Sequence, residues 1–282
     1  MTTRAGRAIR LALAQMPVRW NDPEGNLRRA EALVAQAAAA GADLVALPED
    51  FMRPPRLHAE PIPGPLTRHL AELARRHRIH LVTGSSGEVV GRRIYNTACL
   101  IDDRGRLLGC YRKRFLWWTE RAGTTPGDSA PVFRTRFGRI GLAICWDLAF
   151  PEHFRDLALA GAELAICPAY WQAGDRFGRL APAKTPRVRT LVRAEEFFID
   201  ACVGARAAEN GMAVAFVNGA GRTRAAGRPD RLVGLSQIAV PFQGIVARAD
   251  GQPGLLVADV NLGLARDAER VYGLREDARR LR

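Results

Sequence analysis

The chain has 282 residues, 48% hydrophobic and 25% charged, the composition of an ordinary soluble globular protein with length for one large α/β domain or two small ones. A formal charge of +13 invites a nucleic-acid reading, but the arginines are spread along the whole chain with no accompanying nucleic-acid motif, so nucleic acid is not the expected partner. Five cysteines (Cys99, Cys110, Cys145, Cys167, Cys202), widely spaced and without a C-x-x-C pair, argue against a disulfide framework or a zinc site, and four of them read as small buried hydrophobes.

The opening "MTTRAGRAIRLALAQMPV" has a short apolar stretch broken by Gln15 and Pro17 and no small-residue cleavage site, which argues against a signal peptide. No apolar run of about 18 residues suggests a membrane span. Cytoplasm is the expected compartment, with no membrane partner.

In chain order, "RLALAQMPV" reads as a buried strand, and the helix after it has Asp22 as N-cap, Pro23 at its first position and Gly41 as its stop. "DLVALPE" is a second buried strand ending at Glu49. "PLTRHLAELARRHR" puts Leu66, Leu70, Leu73 and Ala74 on one helical face, and "IHLVTGSS" is a third strand. "IYNTACLID", a turn at Asp103-Arg104-Gly105 and "RLLGCYRKRF" form a hairpin whose second strand carries Lys113. "PVFRTRFGRIGLAICW" is another strand pair, turning near Phe137-Gly138 and ending at Cys145. Pro151 opens a helix through about Ala160. "AELAICP" is a strand, a long helix runs from about Thr185 to Asn210, and "MAVAFVN", "SQIAV" and "LLVADV" are strands. With no linker, repeat or low-complexity segment, the expectation is one domain over residues 1–282, with its core at about 8–262 and a charged C-terminal tail at 263–282 that packs on a neighbour or frays.

Only two of the 42 cationic residues are lysines, Lys113 and Lys184, so a lysine kept between Arg112 and Arg114 marks either chance retention or a place that needs a compact ammonium. Cys145 sits where an apolar strand runs into a turn before a Pro-started helix, a junction that exposes a side chain and aims free backbone N–H groups at it. The alternative is a buried, inert thiol. The usual activator of a thiol is histidine, but His153 lies one turn into a helix with charged neighbours and reads as a surface residue. His58, His69, His77 and His80 follow no strand end. Glu49, itself a strand-end acid, is the better-placed partner.

In order, "LPE", "YRK" and "ICWDLAFPE" resemble the nitrilase superfamily of carbon–nitrogen hydrolases. "YNTACLIDDRGRLLGCYRKRFL", "TERAGTTPGD", "GAELAICPAYW", "ARAAENGMAVAFVNGAG" and "GLSQIAV" extend that resemblance over nearly the whole chain. The resemblance implies an α-β-β-α four-layer sandwich and assembly into homo-oligomers, and the sequence itself gives no sign of a metal or organic cofactor. The resemblance also implies catalytic roles for Glu49, Lys113 and Cys145, with Glu120 as a second glutamate that positions substrate and water. On that reading Glu49 takes the thiol proton, while Lys113 and the backbone N–H of Trp146 stabilise the oxyanion.

"CWDLAFPE" resembles the amidase-like branches, whereas nitrilases of the family show C-W-E here. The expected substrate is therefore a small amide or N-carbamoyl compound, with a nitrile second. A non-enzymatic basic binding protein on the same fold is the reading from another class. Trp118, Tyr170 and Trp171, with Trp117, are candidates to line the pocket. Asp147 reads as a structural partner of Arg155, and Arg206, Glu209 and Asn210 as a buried network bracing a sheet.

Overall fold

The computed structural model describes residues 8–52, 58–173, 191–225 and 228–280. Lys184, most of the loop after Glu49 and the start of the helix expected from Thr185 lie outside them.

Apolar runs without alternation become strands buried on both faces. One sheet contains β1 (Ala8–Gln15), β2 (Leu44–Ala46), β3 (His80–Val82), β4 (Ser86–Val90), β5 (Arg93–Ile101), β6 (Leu107–Arg112) and β15 (Gly254–Asn261). Its order is β15-β1-β2-β3-β5-β4, with β6 paired to β5. The other sheet contains β7 (Val132–Arg134), β8 (Arg139–Leu142), β9 (Leu164–Ala169), β10 (Ala213–Asn218), β13 (Gln237–Val240) and β14 (Gly244–Arg248), in the order β14-β13-β10-β9-β8-β7. β11 (Ala220–Ala225) and β12 (Arg228–Val233) form a separate antiparallel ribbon.

The sheets pack face to face on Leu11, Leu13, Leu44, Ile140, Leu142, Leu164, Ile166 and Val217. Behind the first sheet, Ala12, Val45 and Leu81 meet α1 (Pro23–Ala39) and α2 (Pro65–His77) through Val34, Leu70 and Leu73. Behind the second, Ala165 and Phe216 meet α3 (Pro151–Leu159) and α4 (Leu191–Asn210) through Phe154, Leu157, Ile199 and Val203. The result is the expected α-β-β-α sandwich. Asp22 caps α1 by accepting from the Gly25 N–H at 3.0 Å, with Pro23 at its first position, as the sequence predicts.

Other expectations are corrected. The charged tail is α5 (Gly263–Tyr272) and α6 (Leu274–Arg280), and it docks on its own chain. Arg275 is buried there and donates to the carbonyls of Ala162 and Gly211 at 2.8 and 3.2 Å. His153 is fully buried, because its turn of α3 faces β8, where Nε2–H donates to the Leu142 carbonyl at 2.9 Å. Cys99 and Cys167 are buried, but Cys110 and Cys202 are only partly so. None of the described helices is long and apolar enough to cross a membrane.

Candidate active site

The parallel strands at the centre of each sheet point their carboxyl ends the same way within that sheet (β1, β2 and β3 in one; β8, β9 and β10 in the other). Beyond such ends lies the usual crevice of an open α/β sheet. Glu49 is reached three residues past β2, Cys145 three past β8 and Tyr170 directly after β9. Gly84, at φ +69°, allows the Leu47–Glu49 segment to lie against its backbone, since a Cβ there would collide with the Pro48 carbonyl.

Two of the expected residues, Glu49 and Glu120, gather around the ammonium of a third. Lys113 is 1% exposed, and its Nζ donates to Glu49 Oε1 and Glu120 Oε2, both at 2.8 Å. Asn96 Nδ2 donates to Glu49 Oε1 at 2.9 Å and to Glu120 Oε1 at 3.0 Å, and so bridges the two carboxylates. The second oxygen of Glu49 accepts the Tyr170 N–H at 2.8 Å. Glu120 Oε2 also accepts the Trp117 N–H at 2.7 Å, which closes the loop between Lys113 and Glu120. The carboxylates of Glu49, Asp50 and Glu120 converge within 4.8 Å, a spacing that suits a metal ion. Here Lys113 is the cation between Glu49 and Glu120.

Charge follows this geometry. Burial opposes the Lys113 charge, but Glu49 and then Glu120 outweigh it and hold the ammonium well above its ordinary pKa. Burial likewise opposes ionisation of Glu120, and Lys113 reverses it, leaving that carboxyl below its usual range. Burial, reinforced by the facing Glu49 carboxylate, pushes the Cys145 thiol well up despite Lys113. The Cys145 thiol therefore holds its proton more tightly than a free cysteine does.

Cys145 is a non-glycine residue at φ +47°, opening a short 3₁₀ helix over Cys145–Ala149. Such strain is retained where the surroundings over-determine it. Buried Asp147 does so here by accepting from the Ile144 N–H at 2.7 Å, the Tyr111 hydroxyl at 2.6 Å and the Phe115 N–H at 2.9 Å. One carboxylate thus ties the cysteine turn to β6 and to the loop beyond Lys113. This replaces the expected Asp147–Arg155 pair; Arg155 donates instead to the Glu209 carbonyl at 2.9 Å.

The aromatic expectations divide. Trp171 joins a cluster with Trp146, Phe198 and Phe216, and its indole N–H donates to Glu195 at 2.6 Å. Tyr170 offers Glu49 its backbone, while its hydroxyl bonds the Thr223 hydroxyl at 2.7 Å. Trp118 is 49% exposed, and it is Trp117 that packs edge-on against Trp146, 4.5 Å between ring centres. Arg206 and Glu209 pair at 2.9 Å, and Arg206 also holds the carbonyls of Leu148 and Ala149, so this network braces the 3₁₀ helix. Asn96 and the bracing role of Asp147 escaped sequence reasoning; "YNT" within a strand signals only β propensity.

A strand-end Glu, a buried Lys and a Cys in a strained turn thus meet between two helix-covered sheets. The family model described as carbon-nitrogen hydrolase matches residues 10–270, and the chain belongs to that family. Human omega-amidase NIT2 is 35% identical over 176 residues, covering 57% of this chain and 63% of the relative's length. The chain thus spans less than two thirds of the omega-amidases it matches. Nit3 of Saccharomyces cerevisiae, a member of branch 10 of the nitrilase superfamily, shares the fold at TM-score 0.77, 24% identity and 94% coverage of both chains. An amidase from Nesterenkonia sp. gives TM-score 0.73 at 28% identity, covering 95% of each chain. A mutant of the Nesterenkonia sp. AN1 amidase shows covalent addition of the acetamide moiety of fluoroacetamide at its active-site cysteine.

Proposed function

We propose that this protein hydrolyses a small amide or N-carbamoyl compound through a thioester on Cys145, releasing ammonia. The observation that carries the reading is the buried Lys113 ammonium bonded to both Glu49 and Glu120, beside the Cys145 thiol. Because that thiol rests protonated, attack on the carbonyl carbon requires a base at the moment of reaction, and Glu49 faces it. Lys113 and the Trp146 N–H, at the head of the 3₁₀ turn, offer donors to the oxyanion. One such donor is typically worth about 3 kcal/mol.

Collapse of the tetrahedral adduct breaks the C–N bond, and Glu49 returns its proton to the departing ammonia. Water then attacks the thioester, giving its proton to Glu49, and the acid leaves as the thiol reforms. Glu120 acts by holding Lys113 and the Trp117 turn. The amidase and omega-amidase relatives support an amide over a nitrile.

The test is ammonia release from ω-amides, N-carbamoyl compounds, aliphatic amides and nitriles, with Cys145→Ala as the blank. Cys145-dependent ammonia from an amide supports the reading; turnover of nitriles alone, or ammonia release unaffected by Cys145→Ala, overturns it. We further propose one cytoplasmic catalytic domain acting as a homo-oligomer, since Phe197, Phe242, Val271 and Tyr272 leave apolar surface exposed. A light-scattering mass equal to one chain would remove that part.

A further inference from the structure

The hairpin that supplies Asn96 and Lys113 carries two cysteines in register. Cys99 on β5 pairs directly with Cys110 on β6, and their Sγ atoms lie 2.7 Å apart. The Cys99 N–H donates to Thr83 Oγ1 at 3.0 Å, and its carbonyl accepts the Thr83 N–H at 3.0 Å. Both backbone groups of Cys99 therefore point away from β6, which makes the rung a non-hydrogen-bonded antiparallel pair. In such pairs the Cα atoms lie about 4.5 Å apart and the side chains are closest. A disulfide spans Cα separations of about 4.4–6.8 Å, so this rung can be bridged without moving the backbone.

The ladder continues through Ala98–Tyr111 and Thr97–Arg112 to the Lys113 N–H, which donates to the Asn96 carbonyl at 2.8 Å. Strand alternation puts Asn96, Ala98 and Tyr111 on the inner face, and Cys99 and Cys110 on the opposite face with Thr97, Arg112 and Glu88. Cys110 is partly exposed, whereas Cys99 is 2% exposed behind it, an arrangement of one reachable thiol and one resolving thiol.

We propose that Cys99 and Cys110 are a reversible oxidation site, closing under peroxide to a cross-strand disulfide that staples the hairpin bearing Asn96 and Lys113. Hydrogen peroxide oxidises the Cys110 thiol to a sulfenic acid with loss of one water. The Cys99 sulfur then displaces the sulfenic oxygen as a second water, so two thiols give up two electrons to one peroxide. The bond forms on the face away from the catalytic groups and fixes their strand register without entering the pocket.

The experiment uses the full chain as Cys145→Ala, which removes the nucleophile from the thiol count. After peroxide and denaturation, two of its four thiols should be lost. Trypsin should release residues 94–104 joined to residues 107–112, separable by dithiothreitol, and the oxidised protein should melt several degrees higher. Cys110→Ser in the same background should lose the cross-link and the shift. Four surviving thiols, a sulfinic or sulfonic Cys110 without a linked peptide, or a linked protein with unchanged Tm would overturn the proposal.

Discussion

At the scale of single residues, the site turns on one cation serving two anions. Lys113 fills a cramped space between Glu49 and Glu120, and a guanidinium is planar and too broad for it. Lys113→Arg should keep the wild-type circular dichroism spectrum but lose about 100-fold or more in kcat/KM, the loss typical of an oxyanion donor. Activity within a few-fold of wild type would remove the ammonium from the mechanism. Asn96 has a separable part, because its amide bridges both carboxylates and favours the charged form of Glu120. Without it, Glu120 ionises less readily and its pKa rises. A hydrogen bond to a charged group is worth about 1.5–3 kcal/mol, so an acid limb of kcat/KM set by Glu120 should move up by about one to two pH units in Asn96→Ala. A uniform drop with an unmoved limb would mean that Asn96 serves the β5 backbone alone.

At the scale of elements, the 3₁₀ turn holds its shape through Asp147, which joins segments 32 to 36 residues apart in the chain to its own turn. Asp147→Ala leaves the Ile144 and Phe115 N–H groups and the Tyr111 hydroxyl without their acceptor. Three such losses cost about 3 kcal/mol or more, which for a chain of this size lowers Tm by about 6 °C or more. Calorimetry reads this directly, and a Tm within about 2 °C of wild type would show that the turn is held by other contacts.

The same residue marks the limit of what the sequence discloses. Continuous apolar runs and Pro or Asp starts made β1, β9, β10, α1 and α3 legible, and the "LPE", "YRK" and "CWD" segments marked Glu49, Lys113 and Cys145 by their likeness to a family. β4, β14 and the β11–β12 ribbon were missed. β14 is an exposed edge, and in β4 the apolar alternation is short and broken by Gly87 and Glu88. Asp147 and Asn96 act on partners far along the chain, which no local pattern announces, and His153 looked exposed because its sequence neighbours are charged while the Leu142 carbonyl and the Tyr111 ring that enclose it come from distant segments.

At the scale of the whole molecule, two imidazoles are enclosed on opposite halves of the sandwich. His80, at the start of β3, is 3% exposed, and His153 on α3 is fully buried. Burial lowers both pKa values below the ordinary 6.5, and the charges packed around them do not reverse it. Around His80, Asp103, Asp102 and Asp43 favour the cation and Arg136 opposes it. Around His153, Asp147 and Asp156 favour it and Arg114 opposes it.

The unfolded chain thus binds protons near pH 6.5 that the folded chain refuses, so both groups contribute stability above that pH. Their contribution fades as pH falls towards the folded values. Glu88 and Asp102 have lowered pKa values, so their contribution is lost only in a more acidic range, below the usual carboxylate values. Between about pH 6.5 and 5 the Tm should therefore fall with a slope set by the histidines. His153→Gln keeps an N–H for the Leu142 carbonyl but cannot titrate, so it should flatten that slope while leaving the steeper loss at lower pH in place. If wild type and His153→Gln lose Tm in parallel over that interval, the buried imidazole on α3 is not what weakens the fold in mild acid.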